Sequence, residues 1–177
     1  HIYDDSSFNV IRNNNIQLQR VSGISINDHF PLCTNPPGSS SNNVIEGNVI
    51  ANNGINTSIG SVGVAVGFGD GITLVGVDFT TIRNNLIINN FHSGVDMVGG
   101  GLVSSDNNLI TSNTINNNNL AGLFQLGGAV AVGGIGITNS NFETINSNTV
   151  CYNTNLDFNI NNVVGSSGTS NTCNNPD

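Results

Sequence analysis

Asp78-Phe79-Thr80-Thr81-Ile82-Arg83-Asn84-Asn85, followed by Ile87 and Asn90, is the clearest of five copies of one pattern in this 177-residue chain. With the central isoleucine as anchor, the copies centre on Ile11, Ile45, Ile82, Ile110 and Ile145. Three residues after each anchor stands an asparagine: Asn14, Asn48, Asn85, Asn113, Asn148. Five after it comes Ile16, Ile50, Ile87, Ile115 or Val150, and eight after it Gln19, Asn53, Asn90, Asn118 or Asn153. Three before it the residue alternates: Phe8, Asn42, Phe79, Asn107, Phe142. A β-branched residue at every second position suits a strand, and Asn between strands suits a bend with left-handed backbone. One such unit cannot bury its own apolar face; stacked copies can. Anchor spacings of 34, 37, 28 and 35 residues allow about three short strands per turn, with loops of varying length. The expected fold is therefore a parallel β-helix. Helical repeats are excluded, because Asn, Gly and β-branched residues are poor helix formers.

The chain is long enough for one domain with a sizeable core. Only 8% of residues are charged, while 22 are Gly and 35 are Asn. Low charge with 37% apolar content argues against disorder. Lysine is absent, and the basic residues are Arg12, Arg20 and Arg83. At net charge -8, binding to nucleic acid is not expected, since phosphate contacts need clustered Lys and Arg. Membrane insertion is not expected either, as no apolar run approaches the ~20 residues a spanning helix needs. The sequence opens at His1 without a methionine or signal peptide, which reads as a processed product or a fragment. Three cysteines and abundant Asn fit an extracellular protein, or one at the cell or spore surface.

Along the chain, coil motifs are expected at about 7–26, 41–53, 78–97, 106–126 and 141–160, with 161–177 as a polar C-terminal tail without a pattern. The whole of 1–177 reads as one domain. The loop from Asn27 to Ser41 carries Pro31, Cys33, Pro36 and Pro37, which a strand interior does not tolerate. After coil two, Val62–Val66 and Ile72–Leu74 alternate like extra strand, and Val130–Val132 with Ile135–Ile137 repeat that pattern after coil four. Coils thus come in pairs, matching the Phe/Asn alternation. Alternation directs the anchor isoleucines inward as the core, so the next residues (Arg12, Glu46, Arg83, Thr111, Asn146) face out. An Arg12–Glu46–Arg83 ladder on neighbouring coils is expected. The column Asn14, Asn48, Asn85, Asn113, Asn148 is expected to pair its amides from coil to coil as a structural ladder.

Candidate chemistry is sparse. Asp78 and Asp106 share one repeat position on adjacent coils, a spacing that would serve acid and base in glycoside hydrolysis or hold calcium. Ser7, Ser41 and Asn141 occupy the same position, so the plainer reading is a turn-forming column. Gly67-Phe68-Gly69-Asp70-Gly71-Ile72-Thr73-Leu74 resembles a single calcium-binding nonapeptide, but such sites need consecutive copies. His29 and His92 lack zinc spacing, so no metal and no cofactor are expected. A Cys151–Cys173 bridge would pin the tail to the last coil and leave Cys33 over; Cys33–Cys173 is the alternative pairing, and sequence alone leaves it open.

With its repeat of the type Asn43-Val44-Ile45-Glu46-Gly47-Asn48-Val49-Ile50, the stretch 7–160 resembles the right-handed parallel β-helix family, the pectate-lyase-like superfold. That resemblance implies an all-β, right-handed solenoid of about five irregular coils. Its members include polysaccharide lyases, polygalacturonases, epimerases, tailspikes, adhesins and spore or surface proteins, so fold alone supplies no function. The lyases use an Arg or Lys base beside a calcium-binding acidic cluster. Here only Arg83 is near Asp78, there is no Trp, and Tyr3 and Tyr152 are the only tyrosines.

Two functions follow as expectations. The first is a non-enzymatic, self-assembling extracellular filament or surface-layer subunit, stacking head to tail on itself with Cys33 as a covalent lock. The second is a carbohydrate-active or polysaccharide-binding β-helix acting through Asp78, Asp106 and Arg83. Ice binding would require a flatter, more regular face than these loops permit. Convergence of Asp78, Asp96 and Asp106 beside Arg83 would favour the enzyme; open, uncapped end coils would favour the filament.

Overall fold

A computed structural model describes residues 1–3, 5–28, 40–54, 69–99, 104–120, 125–126 and 130–173. The loop prolines, Cys33, His29, Val62–Val66 and Gly67-Phe68 lie outside the described residues. Below the first repeat runs β1 (Ile2–Tyr3). Coil one is β2 (Val10–Arg12), β3 (Asn15–Gln17) and β4 (Ile24–Asn27); coil two is β5 (Val44–Glu46), β6 (Val49–Ala51) and β7 (Ile72–Val75). Coil three is β8 (Thr81–Arg83), β9 (Leu86–Ile88) and β10 (Val95–Val98). Coil four holds β11 (Leu109–Thr111) and β12 (Thr114–Asn116), then a small antiparallel hairpin of β13 (Gln125–Leu126) and β14 (Val130–Ala131), then β15 (Ile135–Thr138). Coil five is β16 (Thr144–Asn146), β17 (Thr149–Cys151) and β18 (Phe158–Asn161), and β19 (Ser167–Thr169) lies above it.

These strands stack into three parallel sheets. Sheet A runs β1-β4-β7-β10-β15-β18, sheet B β2-β5-β8-β11-β16-β19, and sheet C β3-β6-β9-β12-β17. The molecule is a parallel β-helix of about five coils, each passing through B, then C, then A. Residues Ile72–Val75 are the third strand of coil two, and Ile135–Thr138 that of coil four. Both excursions enter the chain between a sheet C strand and a sheet A strand. The polar tail also carries structure: Ser167, Gly168 and Thr169 pair with Thr144, Ile145 and Asn146, and Thr172 bridges to Thr149. The tail's pattern escaped the repeat because Gly168 stands where each coil has isoleucine.

The anchors form one buried column. Ile45, Ile82 and Ile110 are wholly enclosed, Ile145 is nearly so, and Ile11 is partly buried at the lower end. Ile50, Ile87, Ile115 and Val150 line sheet C, and Ile26, Leu74, Met97 and Ile137 line sheet A. Every coil turns three times, each time through a left-handed residue followed by an inward polar one. In coil three φ is 51° at Phe79, 54° at Asn84 and 57° at Asn89. The polar residues that follow, Thr80, Asn85 and Asn90, are buried. Thus the repeat is a five-residue step of bend, ladder, strand, core and strand. Asn and Gly suit the bend because they enter left-handed backbone at least cost.

Asparagine works here as a structural bolt. Asn85 N–H donates to Asn113 Oδ1 (2.9 Å), and its amide donates to Asn113 Oδ1 (3.0 Å) and to the Ile45 carbonyl (2.9 Å). Its own Oδ1 accepts from Asn48 N–H and Nδ2–H. Asn48, Asn113 and Asn148 repeat this arrangement, and Asn171 Oδ1 accepts from Asn148 as a sixth member. A second full column runs through Asn53, Asn90, Asn118 and Asn153. Glycines make room for it at the entrance to sheet A: a Cβ on Gly71 would stand 2.5 Å from Ile87 Cγ2 and 2.9 Å from Asn90 Nδ2.

Candidate functional site

The Asp78–Asp106 pair does come together, as one corner of stacked coils. Asp106 N–H donates to Asp78 Oδ1 (2.7 Å), and Asn141 N–H donates to Asp106 Oδ1 (2.7 Å). Ser104 Oγ–H donates to Asp106 Oδ2 (2.8 Å). The same link recurs below, where Ser41 N–H donates to Ser7 Oγ (2.8 Å), and above, where Val164 N–H donates to Asn141 Oδ1 (3.1 Å). The column supplies an acceptor for the next coil's amide, a role that Ser, Asp and Asn fill equally. Burial raises the half-buried Asp78 carboxyl above the usual range, and the Asp106 and Asp28 charges add to this.

Arg83 is not directed to that corner. It lies on the outer face of sheet B, where its Nε–H donates to Glu46 Oε2 (2.7 Å) in the only ion pair among the described residues. Arg12 holds the in-register position below Glu46, so the expected ladder has its register and one of its two bridges. An exposed pair of this kind contributes about 0–1 kcal/mol.

Asp96 belongs to a different place again. Alternation along β10 sets it on the outer side of sheet A, in register with Thr73 and Gly136, and it is fully buried. Both of its carboxylate oxygens are without a hydrogen-bond partner. Burial, then the nearby Asp70 charge, raise its affinity for a proton well above that of an ordinary carboxylate. Asp70 accepts from Ser93 N–H and Thr73 Oγ–H, both at 2.9 Å, and burial still holds it at about 7. In the candidate nonapeptide, then, Asp70 serves as a turn acceptor. Among the described residues no three His, Cys, Asp or Glu side chains gather as a metal set.

Glu143 was not anticipated. It stands two residues before the Ile145 anchor, where other coils carry Asn9, Asn43, Thr80 and Asn108. Asn108 N–H donates to its Oε2 at 2.7 Å. Burial raises its carboxyl to about 8, with the Asp106 and Asp78 charges adding to this. The signal was present in sequence, five residues before the Asn column, but mixed residue types at that position concealed it.

The largest apolar exposure lies at the two ends and along one corner. Phe8, Phe79 and Phe142, all in left-handed backbone, are 77%, 54% and 57% exposed. At the upper end Phe158, Ile160 and Val164 are exposed, and a hollow of about 270 Å³ opens between Ile145, Phe158, Ile160 and Gly168. Cys151 and Cys173 are joined, tying the tail over coil five with Cα atoms 5.1 Å apart. That cross-link belongs to non-reducing surroundings. Among the described residues no helix is long and apolar enough to cross a membrane. The chain matches no family model, and comparison with curated proteins and with solved structures finds none similar to it.

Proposed function

We propose that this protein is a structural, self-assembling subunit of an extracellular or cell-surface filament, stacking end to end on copies of itself. The observation that carries the proposal is the upper end of the β-helix. There β18 has no described strand above it, and Phe158 and Ile160 border an apolar hollow instead of a polar lid. An exposed strand edge beside apolar surface recruits another strand, and a parallel solenoid offers that edge in the register of its own repeat. Head-to-tail contacts of this type do not close, so they propagate as fibres. The disulfide and the fully satisfied Asn columns suit a rod that persists outside cells. The carbohydrate-active alternative requires Asp78 and Asp106 to act on a bound sugar, whereas each gives an oxygen to the neighbouring coil's backbone.

Light scattering on the 177-residue chain, with negative-stain microscopy, tests this. The expected outcome is a mass that rises with concentration and unbranched fibres one β-helix wide. A monomer that persists up to roughly millimolar concentration would overturn the proposal, because it would leave less than about 4 kcal/mol of association free energy for the junction.

A further inference from the structure

Resting on that proposal, we infer that the junction is a composite coil: one copy supplies its sheet B strand and sheet C segment, and a second copy supplies its sheet A strand. The strand inventory carries this. Above coil five the chain provides β19 in sheet B and Thr172 alongside sheet C, while β18 in sheet A has no described strand above it. Below coil one the situation is reversed: β1 lies in sheet A, and β2 and β3 are the lowest described strands of sheets B and C. Each end offers what the other lacks.

Register fixes which residues meet. Ile2, Ile26, Leu74, Met97, Ile137 and Ile160 form one column of sheet A. Adding a second copy sets its Ile2 over Ile160 and its Tyr3 over Asn161. In sheet B the next copy's Ile11 lies over Gly168, where the missing side chain leaves the hollow beside Ile145. Partly buried Ile2 and Ile11, and exposed Ile160, thereby gain the enclosure that the inner members of their columns have.

The polar ladder has matching loose ends. Asn48, Asn85, Asn113 and Asn148 each donate an amide proton to the anchor carbonyl one coil below. Asn14, with no described coil below it, donates to its own Arg12 carbonyl (3.0 Å) and to Asn48 Oδ1 (3.1 Å), and no anchor carbonyl receives it. In the composite coil that donor reaches the Gly168 carbonyl of the copy below, and Asn14 Oδ1 accepts from that copy's Asn171 N–H. The corner residues continue too. Phe8, Asn42, Phe79, Asn107 and Phe142 alternate large and small, and the sixth coil has Gly165 there. A Cβ on Gly165 would stand 2.5 Å from the Phe142 ring. The following copy begins again with Phe8, so alternation passes through the junction unbroken.

The test mixes two separately purified variants, Tyr3→Cys and Asn161→Cys, each also carrying Cys33→Ser, under mild oxidation. Both positions are exposed in the single chain, so folding should be unaffected. Neighbouring parallel strands bring such cysteines within the ~4.4–6.8 Å that a disulfide spans between Cα atoms. The expected result is a disulfide-linked heterodimer that neither variant forms alone. Assembly seen by light scattering without that cross-link would overturn the composite coil and leave the filament standing. Absence of any assembly in the unmodified chain would remove both.

Discussion

Three inward polar columns run the height of this β-helix, and the two that flank the anchors are built to different standards. The column three residues after each anchor is asparagine from Asn14 to Asn171, and each enclosed member satisfies its neighbours' amides and carbonyls. The column two residues before each anchor reads Asn9, Asn43, Thr80, Asn108, Glu143 and Ser166. In it Thr80 Oγ1 is buried without a partner, and Glu143 is a buried carboxyl with acidic neighbours. Both columns answer one demand: an acceptor for the adjacent coil's N–H. Only the amide also carries a donor for the carbonyl below, so the first column is both glue and ruler, while the second tolerates substitution at a cost in stability.

The widest gap between the columns should appear when the first is broken. Asn85→Leu keeps a similar branched shape but adds volume, strands the Asn48 N–H and takes the side-chain donor from the Ile45 carbonyl in the interior. A loss of about 3 kcal/mol is expected, measured by urea unfolding, since each orphaned buried group costs about 1–3 kcal/mol. A loss below about 1 kcal/mol would mean the ladder contributes register without strength.

The second column should reveal itself through pH. Folded Glu143 holds its proton up to about 8, against an ordinary value of 4.5. Across that window the folded chain binds a proton that the unfolded chain has released, so stability falls as pH rises from about 4.5 to about 8. Asp70, held at about 7, and Asp96, raised well above an ordinary carboxylate by burial, tilt the curve the same way. Thermal unfolding is therefore expected at lower temperature near pH 8.5 than near pH 5. Glu143→Gln should flatten part of that slope and raise the midpoint at the alkaline end. An unchanged slope would assign it to Asp70 and Asp96 alone.

Smaller, and opposite in sign, is the expected effect of repairing the second column. Thr80→Asn supplies the missing amide between Asn43 and Asn108, and about 1 kcal/mol of stabilisation should follow. Equal or lower stability in the same urea experiment would show that the strand spacing there is set for threonine.

Much of this architecture was legible from the chain alone. The anchors, the Asn columns three and eight residues on, and the inward alternation all follow from period-two strands interrupted by bends that favour asparagine. Those are local preferences, repeated often enough to exceed chance. Less visible were the parts where the same position accepts several residue types. Glu143 and Thr80 vanish into a mixed column, and Gly168 hides a sixth partial coil by lacking the side chain that marks the others.

What the sequence by itself determined is the coil: its three bends, its inward isoleucines and its ladder, because each depends on neighbours within a few residues. Tertiary structure alone decided how residues far apart in the chain share a surface. Asp78 and Asp106 became a corner ladder once their carboxylates met backbone amides of the next coil. Arg83 met Glu46, as the repeat register already implied, and stacking is what kept it away from Asp78. Cys151 met Cys173 when the tail folded back over coil five, which decided between the two pairings the cysteines left open. The unequal ends emerged the same way, since which described strand lies lowest or highest in a sheet is a property of stacking and not of any single repeat.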